Sequence, residues 1–344
     1  MTVYNETIRT TDSEKGRTLL MEKFGWAYIG CGSIAHRTAT ELVQTEDNKI
    51  VAVWNRTRSK AEDFVKEYGG TVYDTAEEAI NAPDVEGVYV NVNGDKHAEY
   101  TELSIKNKKP VLCEKPFTFN ETETRKLFDY AKAEGVYISE AMKTWHNDTA
   151  LTVNQWVESG SVGEIKSVAC AYAFPMLEYS QNPRLTTPSM LGGALLDIGV
   201  YAVRYCYELF GLPEAIECIG DMHEVDHAEK ITFQYPGFAA HIHISMVEDA
   251  GHFLEIKGSK GSISVPEFHV SKRAILTSAD EVVTFEMDDL IFGRQFSNVA
   301  AEIRAGKKQS DYITPKSTIE VMGLLDECRR QMGLVYPQEV EKEQ

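Results

Sequence analysis

The stretch "YIGCGSIA" (residues 28–35) limits the fold more than any other part of this sequence. Gly30, Gly32 and Ala35 form a GxGxxA pattern between an apolar run, "WAYIG", and a run with helical apolar spacing, "IAHRTATELVQT". A strand, a glycine turn and a helix in that order suit a dinucleotide. Gly30 permits the tight turn and Gly32 lets the backbone approach a pyrophosphate. Ala35 allows close helix–strand packing, and the helix N-terminus, which begins at Ser33 and Ile34, favours an anion. The motif alone is weak evidence, but the pattern repeats. "KIVAVWN", "GVYVNV", "PVLCEK" and "VYISEA" read as strands. "SKAEDFVKEYG", "HAEYTELSIKNK" and "NETETRKLFDYAKAEG" read as helices between them, the last with Asn120 as N-cap and Gly135 beyond its end. Strand–helix alternation predicts a doubly wound parallel sheet of the Rossmann type.

After Ser139 the pattern changes. One more helix, "TALTVNQWVESG", precedes a series of strand-like runs with short turns: "IKSVACAYAF", "AIECIGDMH", "EKITFQYP", "FAAHIHISMV", "HFLEIKGS", "GSISVPEF", "RAILTS" and "EVVTFEM". These predict an α+β part with a large, mostly antiparallel, open-faced sheet. A helical insertion, "LLDIGVYAVRYCYELFG", interrupts them, and two helices near 292–304 and 317–332 pack back at the end. The expected division is an extension over 1–23, a dinucleotide-binding part over 24–140, and a substrate-binding and oligomerisation part over 141–344. "HFLEI" and "FAAHIHISM" carry apolar residues at alternate positions on a face that no helix obviously covers, so a homodimer or larger homo-oligomer is expected.

Bulk properties exclude other classes. The net charge of −18 argues against nucleic acid and anionic membrane as partners. No apolar stretch approaches the ~20 residues of a membrane span. The first residues, "MTVYNETIRTTDSEKGRTLLMEKF", have no apolar leader core. The six cysteines are scattered, with no CxxC pair, which suits reduced thiols and a cytoplasmic protein. His241 and His243 sit two apart on one strand face, but no third ligand is evident, so no metal site is expected.

The chemistry should collect at the carboxyl ends of the parallel strands. The second strand ends in "WNRTRSK", where an NAD-preferring site usually has an acid for the ribose 2′-hydroxyl. Asn55 and Arg56 stand there instead, and a guanidinium suits a 2′-phosphate. NADP is therefore expected over NAD, the alternative being that Arg56 and Arg58 are surface residues opening a helix. Asn91 and Asn93 follow the third strand of this reading, and His97 either faces the cofactor or caps the next helix. In "EKPF", Glu114 and Lys115 emerge at the same sheet edge and Pro116 stops the strand. Lys115 there can hydrogen-bond a substrate hydroxyl and stabilise a developing alkoxide, while Glu114 orients the turn or the nicotinamide side of the cofactor.

GxGxxA, a later "EKP" at a strand end, and "GGALLDIGVYAV" before a sheet-rich second part together resemble the Gfo/Idh/MocA oxidoreductase family from about residue 24 onward. "LCEKPF", "EAM" at 140–142 and the C-terminal "GLVYPQ" resemble its dihydrodiol dehydrogenase and NADP-dependent aldose dehydrogenase branch. The resemblance implies hydride transfer between a nicotinamide cofactor and a sugar, cyclic polyol or dihydrodiol. Two alternatives share the fold: a glucose–fructose-type enzyme that retains its cofactor, and a non-catalytic dinucleotide-binding regulator. The resemblance also places Asp197 and Tyr201, an i, i+4 pair on one helix face, beside Lys115. Tyr201 is then the general acid/base, its phenol lowered by the nearby ammonium, and Asp197 positions both. "KTWHND" departs from the branch's "WTRF"-like stretch, and Trp145, His146 and Arg184 are expected at the substrate pocket.

Overall fold

The computed structural model describes residues 22–288 and 290–341. Six parallel strands form the first sheet: β1 (Phe24–Ile29), β2 (Asn48–Trp54), β3 (Thr71–Val72), β4 (Gly87–Val90), β5 (Val111–Glu114) and β6 (Ile138–Ala141), in the order β3-β2-β1-β4-β5-β6. Helices α1 (Ser33–Leu42), α2 (Arg58–Tyr68), α3 (Ala76–Ile80), α4 (His97–Lys106) and α5 (Glu121–Glu134) connect them. Every residue of β1, β4, β5 and β6 is buried, as expected for central strands covered on both faces. The strand order reverses between β1 and β4, which opens a crevice at their carboxyl ends. Asn120 caps α5 by accepting from the Glu123 N–H, and Gly135 closes it in the left-handed conformation. The short β3 and α3 escape the sequence reading, although Thr75 and Glu78 form a capping box at the start of α3.

Helix α6 (Asp148–Glu158) leads to an eight-stranded sheet. Its strands are β7 (Ile165–Ala173), β8 (Ala215–Met222), β9 (Asp226–Tyr235), β10 (Phe238–Ser245), β11 (Gly251–Gly258), β12 (Gly261–Pro266), β13 (Arg273–Ser278) and β14 (Val282–Glu286). The order is β14-β13-β12-β11-β7-β10-β9-β8, antiparallel except where β7 pairs with β10. Between β7 and β8 the chain runs through α7 (Met176–Tyr179), a π-helical turn (Leu195–Gly199) and α8 (Val200–Phe210). Helices α9 (Ile291–Arg304), α10 (Pro315–Met332) and α11 (Pro337–Glu341) complete the described chain.

The alternation in "HFLEI" and "FAAHIHISM" has a different meaning from the one expected. Leu254, Ile256, Ala240, Ile242 and Ile244 point inward and join a core with Val203, Cys206 and Leu325. The opposite face is the uncovered one. Ala169, Ala171, Thr232, His241, His243 and Phe253 line a shallow hollow there of about 370 Å³.

Helices α9 and α8 tie the sheets together. Phe296, Val299 and Ala300 of α9 enter the core of the first sheet beside Trp26 and Tyr28. Arg204 of α8, fully buried, pairs with Glu140 of β6. No described helix is long and apolar enough to cross a membrane.

Candidate active site

A cleft of about 540 Å³ lies at the carboxyl edge of the first sheet, roofed by residues of the second part. Gly32, Ser33 and Ile34 line one end of it at the start of α1. Gly30 has φ +112, and a Cβ there would lie 2.8 Å from the Asn91 carbonyl, so the turn admits only glycine. A Cβ on Gly32 would meet nothing within 4 Å. The α1 N-terminus has no side-chain cap and no acid in its first turn, which leaves its N–H groups and dipole facing open space. Asn91 is buried at the cleft, and neither its amide nitrogen nor its amide oxygen has a partner. An open glycine, an uncapped helix start and an orphaned amide fit a dinucleotide's pyrophosphate and polar groups.

Asn55 accepts from the Cys31 N–H at 3.1 Å and thereby holds the glycine turn to the end of β2. Arg56 is exposed at that strand end and does not line the cleft, whereas Lys60 and Arg37 do. Arg58 turns away and pairs with Glu62 and Asp74. Asn93 lines the cleft. His97 does too, buried, with Nδ1 2.8 Å from the Pro116 carbonyl and Nε2 3.1 Å from that of Val92. Burial pushes its pKa down to about 4, against the pull of the two carbonyls, and the neutral ring has one N–H to donate, to either the "EKP" turn or the loop after β4.

Glu114 accepts from the Tyr89 hydroxyl and from the Lys115 backbone N–H. Burial pushes its carboxyl up, against the opposing pull of Tyr89 and the charges of Lys115 and Lys143. Lys115 reaches across to the π-helical turn. Its Nζ donates to the Asp197 carbonyl oxygen at 2.6 Å and to the Asp197 carboxylate at 3.2 Å. Arg184 donates to the same carboxylate oxygen at 3.1 Å. Burial alone would raise the Asp197 carboxyl, but Lys115 and Arg184 outweigh it and hold it below the ordinary range. Lys115 Nζ also lies 5.0 Å from the centre of the Tyr201 ring. Lys115, Arg184, Asp197 and Tyr201 thus meet at the cleft, Asp197 in a π turn of the kind that recurs at functional sites.

Other expectations are corrected. Tyr201 is not lowered: burial first, then Glu114, Tyr172 and Asp197, raise its hydroxyl well above the ordinary phenol range. Trp145 and His146 do not line the cleft. Trp145 packs edge-on against Tyr205 at 5.5 Å, and His146, fully buried, lies on Tyr312 at 4.9 Å. Both point to the core because they follow β6 on a single 3₁₀ turn whose first residue takes the cleft side.

That residue is Lys143, which sequence reasoning passed over. It is buried at the cleft, 2.6 Å from the Tyr201 hydroxyl. A lysine two residues past a buried parallel strand was the available signal, close to the one that singles out Lys115. Tyr172 and His269 were also missed; they stack at 4.2 Å, and the Tyr172 hydroxyl lies 3.0 Å from His269 Nε2. With Tyr201 they form an aromatic wall with polar edges. Among the described residues no cluster of His, Cys, Asp or Glu has the makings of a metal site.

Comparison with known proteins agrees with this architecture. Residues 24–142 match the oxidoreductase family with an NAD-binding Rossmann fold, Gfo/Idh/MocA, and residues 150–264 match the Gfo/Idh/MocA C-terminal domain. Mouse trans-1,2-dihydrobenzene-1,2-diol dehydrogenase is 25% identical, over 91% of this chain and 98% of the mouse enzyme. The Bacillus subtilis scyllo-inositol 2-dehydrogenase (NADP(+)) is 26% identical, with the same coverage. Among solved structures, the Actinomadura kijaniata 3-ketoreductase KijD10, with NADP and TDP-benzene, superposes with a TM-score of 0.80 at 22% identity over 90% of this chain and 98% of that one. The aldose–aldose oxidoreductase of Caulobacter crescentus gives 0.81 at 19% identity over 90% and 97%. This chain belongs to the Gfo/Idh/MocA family and is an NAD(P)-dependent oxidoreductase.

Proposed function

We propose that the enzyme moves a hydride between NADP and a secondary alcohol or ketone on a sugar, cyclic polyol or dihydrodiol ring. The meeting of Lys115, Asp197 and Tyr201 at the cleft carries this reading. Gly30, Gly32, Ser33, Ile34, Asn91, Asn93 and Glu114 would hold the cofactor, with residues 24–140 binding it and 141–344 binding substrate. When bound, the nicotinamide supplies the hydride acceptor or donor. Lys115 donates a hydrogen bond to the substrate oxygen and stabilises alkoxide character there. Asp197 fixes Lys115 and Arg184 in place. Tyr201 exchanges a proton with the substrate oxygen. The aromatic wall of Tyr172, Tyr201 and His269 offers apolar faces and hydroxyl edges, which suits a ring carrying hydroxyl groups.

Asn55 and the exposed Arg56 support NADP, as does the cofactor named for the Bacillus inositol enzyme. The uncovered sheet face supports a homo-oligomer, since the half-buried Phe253 and Ala169 face the hollow there. Six buried, unpaired cysteines support a reducing compartment such as the cytoplasm. The deciding experiment incubates the protein with aldoses, inositols and diols, each with NADP+ and with NAD+, and follows reduced-nicotinamide absorbance. Oxidation of a ring hydroxyl with NADP+ preferred is the expected result. Failure of every ring alcohol with both cofactors, in protein that binds nucleotide, would reject the proposal.

A further inference from the structure

We propose that Lys143 is the proton reservoir of the site: it takes the proton from the Tyr201 hydroxyl when an alcohol is oxidised and returns it when a ketone is reduced. This rests on the reading of Tyr201 as the group that meets the substrate oxygen. Lys143 acts through Tyr201 and is a positioning residue.

The geometry is specific. Lys143 Nζ is 2.6 Å from the Tyr201 oxygen and 3.9 Å from the centre of its ring, in a residue only 4% exposed. The groups around it are Lys115 and Glu114 at the end of β5, Arg37 of α1, Asp197 of the π turn, His269 after β12 and the Phe292 ring of α9 at 5.2 Å. Both carboxylates are committed elsewhere, Glu114 to Tyr89 and the Lys115 backbone, Asp197 to Lys115 and Arg184. Lys143 therefore has no carboxylate partner among the described residues. A buried amine without a counter-ion favours its neutral form, and burial and the Lys115 charge push Lys143 well below the ordinary lysine range. Tyr201, raised in the same pocket, is a poor place to leave a negative charge. A neutral amine beside a neutral phenol resolves this. The alcohol's O–H proton passes to the Tyr201 oxygen as the phenolic proton passes to Lys143 Nζ, and the carbon's hydride leaves for the oxidised nicotinamide. The products are a ketone, reduced cofactor, a neutral tyrosine and a Lys143 ammonium, which then loses its proton to water.

The test measures kcat/KM for alcohol oxidation against pH in the native enzyme, Lys143→Met and Lys143→Arg, beside NADPH affinity by fluorescence titration. Arginine keeps a hydrogen-bond donor there but is always charged and cannot accept a proton. Both variants should bind NADPH as the native enzyme does and lose ~100-fold or more in kcat, the scale of one positioned proton-transfer group. The native rate should rise with pH and level off, and this limb should be absent from both variants. A native-shaped profile in either folded variant, or a change confined to KM, overturns the proposal. Tyr201→Phe separates the two readings. If it keeps native turnover, the role of Tyr201 itself fails. If it is inactive while Lys143→Met keeps the native limb, only the role of Lys143 fails.

Discussion

Lys115 grips Asp197 at two points, the backbone carbonyl at 2.6 Å and the carboxylate at 3.2 Å, and so joins the end of β5 to the π turn that leads into Tyr201. Arg184 holds the same carboxylate oxygen, so Asp197 keeps a cationic partner if Lys115 is lost. Lys115→Met should therefore leave the fold and NADP affinity nearly intact while lowering turnover ~100-fold or more. Tyr201→Phe should act similarly, and the double variant should be little worse than either, because the groups work as a unit. Steady-state turnover beside fluorescence titration of NADPH checks this. Near-native turnover in Lys115→Met would reduce the contact to a structural ion pair.

Cofactor choice is assigned to the end of β2, where the exposed Arg56 replaces an acid. Arg56 is exposed beside Asn55 and does not line the cleft. Arg56→Ala should raise the KM for NADP by ~10-fold and leave that for NAD almost unchanged, since one charge-assisted contact is worth about 1.5–3 kcal/mol. Equal effects on the two cofactors would transfer the 2′-phosphate contact to the other cleft-facing cations, Lys60 and Arg37.

Much of this arrangement was legible in the sequence because its signals are local. The glycines of 28–35 report one turn and one helix start, and strand alternation in 165–286 reports one buried face. Lys115 was legible for a positional reason, as a charged residue at the carboxyl end of a buried parallel strand. Lys143 came close to the same criterion but stands beside Trp145 and His146, whose side chains look more like pocket residues. Which of these consecutive residues faces the cleft depends on the backbone turn after β6, and the sequence does not carry that turn. The state of Tyr201 was missed for a different reason. Its shift comes from burial and from Glu114 and Tyr172, which lie on other strands, so no local pattern reports it.

His146 contributes to acid sensitivity. Its ring is wholly buried, neither nitrogen has a partner, and burial with the Arg294 charge nearby pushes its pKa from 6.5 down to about 3. The unfolded chain then binds a proton that the folded chain refuses. The contribution is full above pH 6.5 and is lost as pH falls from there towards the folded value, at up to about 1.4 kcal/mol per pH unit. His146→Phe keeps a ring against Tyr312 and removes the titration. Between pH 7 and 5 the variant should lose about 1–2 kcal/mol less stability than the native protein in urea unfolding. Parallel stability–pH curves would show that His146 takes up its proton without unfolding.

The pair most exposed to disruption is Arg204 with Glu140, because neither side chain reaches solvent. Arg204 also donates to Ser317 at 2.9 Å and to Thr318 at 3.2 Å on α10, and to Glu208 at 3.1 Å one turn along α8. Removing one member strands a buried charge, which costs about 3–5 kcal/mol, whereas removing both costs far less. Arg204→Met should therefore be strongly destabilising, and adding Glu140→Leu should recover most of the loss. Glu140 lies three residues before Lys143, and Arg204 lies three after Tyr201. The pair thus sets the spacing between β6 and α8 on which the Lys143–Tyr201 contact depends. Arg204→Met should also lower turnover below 25 °C, where the variant remains folded, with the double variant partly restored. Urea unfolding and turnover on the same preparations test both parts. Arg204→Met within about 1 kcal/mol of the native protein would mean that water enters and solvates Glu140, and that the interface between the sheets is wetter than its packing implies.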